Sequence, residues 1–229
     1  MLPIILLHGA IGAKEQLDPL ADALRQLGHD AHTLTFEGHG DRPDRGRPFR
    51  VPCFVENILD YLDQAGIEQA NLFGHSLGGL VGLGLAHSHP GRVGGTFTLG
   101  TKFVWTPEIA LREHKNLNPE KILEKVPKFA AMLAKRHSAI DWQDNMAKSR
   151  EMMSDFGANP PSFDHFAETQ QPTVISIGDR DNLSTIEESM QVARTLPQGA
   201  LQVFPNTKHP IEQVNVPMLA DAINRAFSL

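Results

Sequence analysis

Residues 69–81 read Gln-Ala-Asn-Leu-Phe-Gly-His-Ser-Leu-Gly-Gly-Leu-Val. Ala70 to Phe73 is an apolar run of strand length, and Leu80 to His87 reads as a helix. Between them Gly74-His75-Ser76-Leu77-Gly78 matches Gly-x-Ser-x-Gly. Strand, sharp turn and helix is the context in which this pattern lifts a serine hydroxyl clear of the backbone as a nucleophile. Gly74 and Gly78 lack Cβ atoms, so strand and helix can approach closely there. The same five residues also suit a glycine-rich turn holding an inert serine, and the rest of the chain decides between the two.

Upstream, Leu2 to Leu7 is continuously apolar, as in a strand covered on both faces of a parallel sheet. Asp18-Pro19 reads as an N-cap followed by proline at the first helical position. Leu17, Leu20, Ala21, Leu24 and Leu27 supply a helical stripe. Asp30 to Phe36 predicts a second strand, residues 37–52 a long polar loop, and Val55 to Leu62 a helix. Downstream, Arg92 to Leu99 predicts a fourth strand. The strand–helix rhythm then stops. Residues 104–165 hold no convincing strand, only three or four helical segments, the second bent at Pro127. The rhythm resumes at Thr173 to Ile177. Ser184 to Glu187 then predicts a capping box, Leu201 to Phe204 a last strand, and Pro217 onward a terminal helix. An all-helical stretch of this length is too long for a connection. The expected domains are therefore a core of residues 1–103 and 166–229, and a helical cap of residues 104–165.

The 229 residues, with 41% hydrophobic and 21% charged, suffice for one sizeable core. A net charge of −6 without a long Lys/Arg run gives no nucleic-acid surface. No stretch reaches the roughly 20 apolar residues of a membrane span. The N-terminus lacks the marks of a signal peptide, so the expected location is cytoplasmic. The single cysteine, Cys53, forms no internal disulfide and reads as packing. Oligomeric state is not legible.

The reactive side chains fall just after strand ends, where open α/β sheets place their sites. Ser76 follows one strand, Asp179 and Asp181 another, and His209 the last. A serine hydroxyl needs a histidine to take its proton, and the histidine needs a carboxylate to fix its tautomer. Either aspartate fits by position. For the oxyanion, the Leu77 N–H opens the helix after the serine, and the Ala10 N–H lies in the turn after the first strand. Among the eleven histidines, His8 and His75 read as structural supports of the turns. His39 lies within reach of the site rim, and His114 and His137 read as solvated. His87 and His89 do not share a helix face. No metal spacing and no cofactor motif stands out.

Leu-Leu-His-Gly at 6–9, Gly-His-Gly at 38–40, Gly-His-Ser-Leu-Gly-Gly at 74–79, Gly-Asp-Arg-Asp at 178–181 and a late histidine before a terminal helix span nearly the whole chain. Together they resemble the α/β-hydrolase superfamily. The resemblance implies a mostly parallel sheet flanked by helices, with a helical cap, and without the family's N-terminal hairpin the expected sheet has about six strands. It implies Asp181 rather than Asp179 as the acid, agrees with Ala10 as second oxyanion donor, and places a cap where residues 104–165 fall. Two departures stand out. The family's N-terminal hairpin is missing, and Lys208 stands where glycine is common before the histidine.

The expected activity is hydrolysis of small to medium carboxylic esters through an acyl-enzyme, with no cofactor. Trp105, Phe129, Met146, Met152 and Phe156 make the cap apolar, which favours a small-molecule substrate with an apolar acyl or alkyl group. The same triad also serves hydrolysis of C–C bonds, lactones or amides, or peracid formation. A small-molecule receptor on a hydrolase scaffold is the reading from another class.

Overall fold

The computed structural model describes residues 1–228. Ile4–Leu7 forms β1, and all four of its residues are buried. Ile5 and Leu7 join one apolar cluster and Ile4 and Leu6 another, so the strand is covered on both faces. The other strands are β2 (Ala31–Leu34), β3 (Ala70–His75), β4 (Val93–Leu99), β5 (Thr173–Gly178) and β6 (Gly199–Phe204). They form one six-stranded sheet in the order β2-β1-β3-β4-β5-β6. Every neighbouring pair is parallel. All carboxyl ends therefore point the same way, and the turns that leave them share one edge.

Helices α1 (Asp18–Gln26) and α10 (Val216–Phe227) cover one face, with Leu20, Leu24, Leu219 and Ile223 packed against Leu6, Phe73 and Phe97. On the other face lie α2 (Val51–Gln64), α3 (Leu77–Ser88) and α9 (Ile186–Thr195), whose Phe54, Ile58, Val81 and Val192 pack with Leu7, Leu72 and Ile175. Between β4 and β5 run α4 (Pro107–Asn116), α5 (Pro119–Lys125), α6 (Pro127–Arg136), α7 (Trp142–Ala158) and α8 (Phe163–Glu168). The short α8 lies against α3 and α9, its Phe166 edge-on to Phe103 at 5.6 Å.

Some boundaries differ from the sequence reading, for identifiable reasons. Pro127 separates two helices rather than bending one, because its ring and missing N–H break the ladder. Asp18 is not the cap of α1 but its first residue, and its carboxylate accepts the Thr33 hydroxyl at 3.1 Å. The capping box of α9 is shifted by one residue. The Thr185 hydroxyl accepts the Glu188 N–H at 3.1 Å, and the Glu188 carboxylate accepts the Thr185 N–H at 2.8 Å. Ser184 is unavailable because its hydroxyl donates to the Gly100 carbonyl at 2.9 Å.

The polar stretch before α2 is held from inside. Glu37 is fully buried, and Arg47 grips both its carboxylate oxygens at 2.7 and 2.8 Å. The Asn57 side chain donates to the same carboxylate at 2.8 Å and accepts the Glu37 N–H at 2.7 Å. Burial pushes the Glu37 carboxyl up, but Arg47 and Asn57 outweigh it and hold it below the usual range. A buried charge persists when it is paired and hydrogen-bonded in this way.

Candidate active site

β3 delivers its last residue, His75, directly to Ser76, and α3 begins at Leu77. Ser76 has φ 52° and ψ −117°, a backbone region that L-residues seldom occupy. Holding a non-glycine residue there costs on the order of 1–3 kcal/mol. Its N–H donates to the Leu99 carbonyl at 2.8 Å, and its own carbonyl accepts the Thr101 hydroxyl at 2.9 Å and the Gly79 N–H at 3.0 Å. A Cβ on Gly74 would sit 2.4 Å from the Gly78 backbone, and one on Gly78 would sit 2.3 Å from the Leu7 carbonyl. The two flanking glycines are thus required by close approach.

The turn after β5 carries Asp181 and the turn after β6 carries His209. His209 Nδ1 lies 2.8 Å from Asp181 Oδ2, and His209 Nε2 lies 3.2 Å from Ser76 Oγ. The second Asp181 oxygen accepts the N–H groups of Leu183 at 2.8 Å and Ser184 at 3.0 Å. Burial raises the Asp181 carboxyl, but His209 and these two N–H donors prevail and hold it below its usual range. An ionised Asp181 accepts the Nδ1 proton and leaves Nε2 free to face the serine. Asp179, the other aspartate of the motif, instead accepts the Thr207 N–H at 3.2 Å and shapes the turn that carries His209.

His75 donates from Nε2 to the His209 carbonyl at 2.9 Å. Burial, with His209 beside it, lowers its pKa to about 4. His8 accepts the Phe36 N–H on Nε2 at 3.0 Å, so its Nδ1–H donates to the Gly9 carbonyl at 2.8 Å. Burial, followed by the neighbouring His39, drives it well below the ordinary histidine value. Gly9 lies against the serine, since a Cβ built on it would come 3.4 Å from Ser76 Cβ. Among the described residues, neither the Ala10 nor the Leu77 N–H donates to a protein acceptor. Both are free to meet an oxyanion.

The structure corrects the reading of His137 as solvated. It is buried, accepts the Gly40 N–H on Nδ1 at 3.0 Å and donates from Nε2 to the Ile11 carbonyl at 3.2 Å. Burial and the neighbouring His39 lower its pKa to about 4. His39 is likewise buried rather than on a rim, with Nε2 2.6 Å from the Ala10 carbonyl oxygen. His114 is tied to Ser154 at 3.1 Å and Arg150 at 2.8 Å. Lys102 donates to the Leu183 carbonyl at 3.0 Å, and Arg112 pairs with Glu113 at 3.0 Å. A cavity of about 700 Å³ lies between α2, α3, α7 and α8, lined by Val55, Leu59, Leu83 and Phe156 among others. Ser76, Asp181 and His209 are not part of its wall.

The neutral buried histidines make stability depend on pH on the acid side. His75 titrates near 4 in the fold and near 6.5 in the unfolded chain, so between those values the unfolded state binds more protons. Stability therefore falls as pH drops from about 6.5 towards 4, by about 1.4 kcal/mol per pH unit for His75, with His137 acting in the same sense. The Tm should decline steadily from pH 7 to pH 4.5. A flat Tm across that range would show that these rings are not held neutral.

The family model described as the alpha/beta hydrolase family matches residues 4–222, and the chain belongs to that family. It is similar to a 2-hydroxy-6-oxononadienedioate/2-hydroxy-6-oxononatrienedioate hydrolase of Pseudomonas putida, 26% identical over 168 residues, covering 65% of this chain and 59% of that relative. It is also similar to the sn-1-specific diacylglycerol lipase ABHD11 of Mus musculus, 23% identical over 246 residues, covering 96% of this chain and 79% of that relative. Among solved structures, NosK from Streptomyces actuosus has the same fold, with a TM-score of 0.83, 17% identity, and coverage of 100% of this chain and 98% of that one. No described helix is long and apolar enough to cross a membrane.

Proposed function

We propose that the chain is a serine hydrolase that cleaves small to medium carboxylic esters through an acyl-enzyme, with Ser76 as nucleophile, His209 as base and Asp181 as its orienting carboxylate. The observation that carries this reading is the continuous path from Ser76 Oγ to His209 Nε2 at 3.2 Å and from His209 Nδ1 to Asp181 at 2.8 Å. Two N–H groups without a protein acceptor support it: that of Leu77, which follows the serine, and that of Ala10, which follows Gly9, the residue lying against the serine.

His209 takes the hydroxyl proton as Ser76 Oγ bonds to the ester carbonyl carbon, and the carbonyl π pair moves onto oxygen. The Ala10 and Leu77 N–H groups receive that oxyanion, where preorganised donors act most strongly. The imidazolium returns its proton to the departing alkoxide, leaving acyl-Ser76. Water then repeats the sequence, giving up its proton to His209 and releasing the acid. Asp181 stays ionised and stabilises the imidazolium in both halves.

Residues 104–165 act as the cap over this edge. Ile11, next to the oxyanion turn, packs with Ile122, Leu133, Trp142 and Met146, and Phe129 packs on the same cluster. An apolar wall at the turn that carries Ala10 suits an apolar acyl group. Phe129→Ala should change the ratio of kcat/KM between para-nitrophenyl hexanoate and acetate by about tenfold, since a pocket reads a few methylenes at that scale. Equal effects on both esters would remove Phe129 from chain-length selection. The reading as a whole is tested by fluorophosphonate labelling of the purified protein and a panel of esters, lactones, amides and the 2-hydroxy-6-oxononadienedioate that the Pseudomonas relative's name gives. A label on Ser76 with ester turnover supports it. Binding without turnover of any of these would favour a receptor.

A further inference from the structure

The turn after β1 runs from Gly9 to Gly12, and side chains from three parts of the chain take up its carbonyls in succession. His8 Nδ1–H and the Gly12 N–H donate to Gly9 O at 2.8 and 3.0 Å. His39 Nε2 and the Ser149 hydroxyl converge on Ala10 O at 2.6 and 3.2 Å. Arg136 and His137 Nε2 donate to Ile11 O at 3.0 and 3.2 Å. The His8 and His137 tautomers are fixed, because each accepts a backbone N–H on its other nitrogen. The Ala10 N–H lies between the Gly9 and Ala10 carbonyls. Holding both fixes the backbone on either side of Ala10 and hence the direction of its N–H.

Ser149 stands out within this set. It is fully buried in the middle of α7. A helical serine has a ready partner in the carbonyl four residues back. Ser88 and Ser154 use it, donating to Gly84 O at 2.7 Å and Arg150 O at 3.1 Å. Ser149 instead reaches across to the core turn. Around it the α6–α7 region is tied down elsewhere. The Ser138 and Ala139 N–H groups donate to Gly40 O at 2.8 and 3.1 Å, and the Asn145 side chain donates to Gly38 O at 2.7 Å. Lys148 pairs with Asp44 and donates to Arg47 O at 3.0 Å.

We propose that Ser149, with Arg136 and His137, is a positioning residue through which the helical insertion sets the Ala10 N–H for oxyanion binding. The proposal rests on the reading of Ala10 and Ser76 given above. In this arrangement the α6–α7 end of the insertion is a fixed brace of the site, and a swing of this end would disturb the oxyanion turn as it opened.

The test compares wild type, Ser76→Ala and Ser149→Ala on para-nitrophenyl acetate, and measures inhibition by an alkyl trifluoromethyl ketone, whose serine adduct bears the oxyanion. The expected result for Ser149→Ala is a kcat about tenfold lower with KM within twofold, and ketone inhibition weaker by the same factor. Loss of a whole oxyanion donor lowers kcat ~10²–10³-fold, and a misdirected one loses part of that. A purely structural serine would lower Tm and leave kcat and ketone affinity together unchanged. Unchanged kcat, a change in KM alone, or a fall in kcat without a fall in ketone affinity would overturn the proposal. Should Ser149→Ala not fold, Ser149→Cys, close in volume but a weak donor, is read the same way with a smaller expected drop, and wild-type kcat and ketone affinity in it would overturn the proposal. The arms separate the two readings. Turnover that survives Ser76→Ala overturns the triad and this proposal together. Turnover lost in Ser76→Ala but intact in Ser149→Ala overturns the positioning role alone.

Discussion

Ser76→Ala should abolish ester turnover and fluorophosphonate labelling while leaving the fold intact. The loss should be at least ~10⁴-fold, because the covalent route vanishes and only binding and the oxyanion donors remain. Stability should hold or change little. The Ser76 backbone occupies φ 52°, and alanine meets the same steric cost there as serine. The turn is anchored by the Ser76 N–H and carbonyl, which alanine keeps. The hydroxyl's contact in the protein is with His209, so its removal frees one ring nitrogen at a partly exposed position. Mass spectrometry of labelled wild-type protein should place the adduct on the peptide carrying residue 76. An adduct on any other residue, or a Ser76→Ala variant that still takes the label, would refute the assignment.

Asp181→Asn should be nearly as severe, on the order of a 10⁴-fold drop in kcat, with Asp179→Asn mild. The two differ in what they touch. Asp181 Oδ2 accepts the His209 Nδ1 proton at 2.8 Å, while its other oxygen is fixed by the Leu183 and Ser184 N–H groups. In the asparagine variant those two N–H donors keep the amide oxygen in place, which turns the amide NH₂ towards His209. The ring must then accept at Nδ1, so its proton sits on Nε2 and Ser76 faces a donor instead of a base. Asp179 accepts one backbone N–H, from Thr207, and an asparagine oxygen does the same. If Asp179→Asn proved the more damaging of the two, the acid would have been assigned to the wrong aspartate. The Gly100 position offers an independent view of the same contact, since φ is +63° there and a Cβ would come 2.9 Å from Asp181 Oδ2.

The parts legible in the sequence were those encoded locally. The β1 and β3 runs are apolar because both faces of the sheet are covered, and the elbow pentapeptide lies within five consecutive positions. Parallel topology brings the ends of β5 and β6 to the edge where β3 ends, so position singles out His209 and the Asp179/Asp181 pair, while the choice of Asp181 within that pair rests on the family resemblance. What escaped notice depends on distant partners. Ser149 meets Ala10 across 139 residues and His137 meets Ile11 across 126, and neither has neighbours whose spacing signals a role. His137 looked solvated because a lone histidine beside Arg136 and Ser138 reads as surface, and nothing local announces that Gly40 will cover it. The one-residue slip at the α9 cap has the same origin. Ser184 is as good a cap as Thr185 until the Gly100 carbonyl claims it.

The hydrogen bonds that run from α6 and α7 into the turns at 9–12 and 38–40 bear on recombination between relatives. A chimera that replaces the helical insertion with another protein's would bring a new underside down on Gly38 O, Gly40 N–H, Ala10 O and Ile11 O. If that underside were apolar, each group left without a partner would destabilise the hybrid by ~1–3 kcal/mol. A short linker in place of the insertion would leave the same groups to water, yet strip the apolar cover from Ile11. The exchangeable unit is therefore larger than the segment between β4 and β5. It includes the two core turns whose backbone the insertion completes, and a workable swap carries all three pieces together.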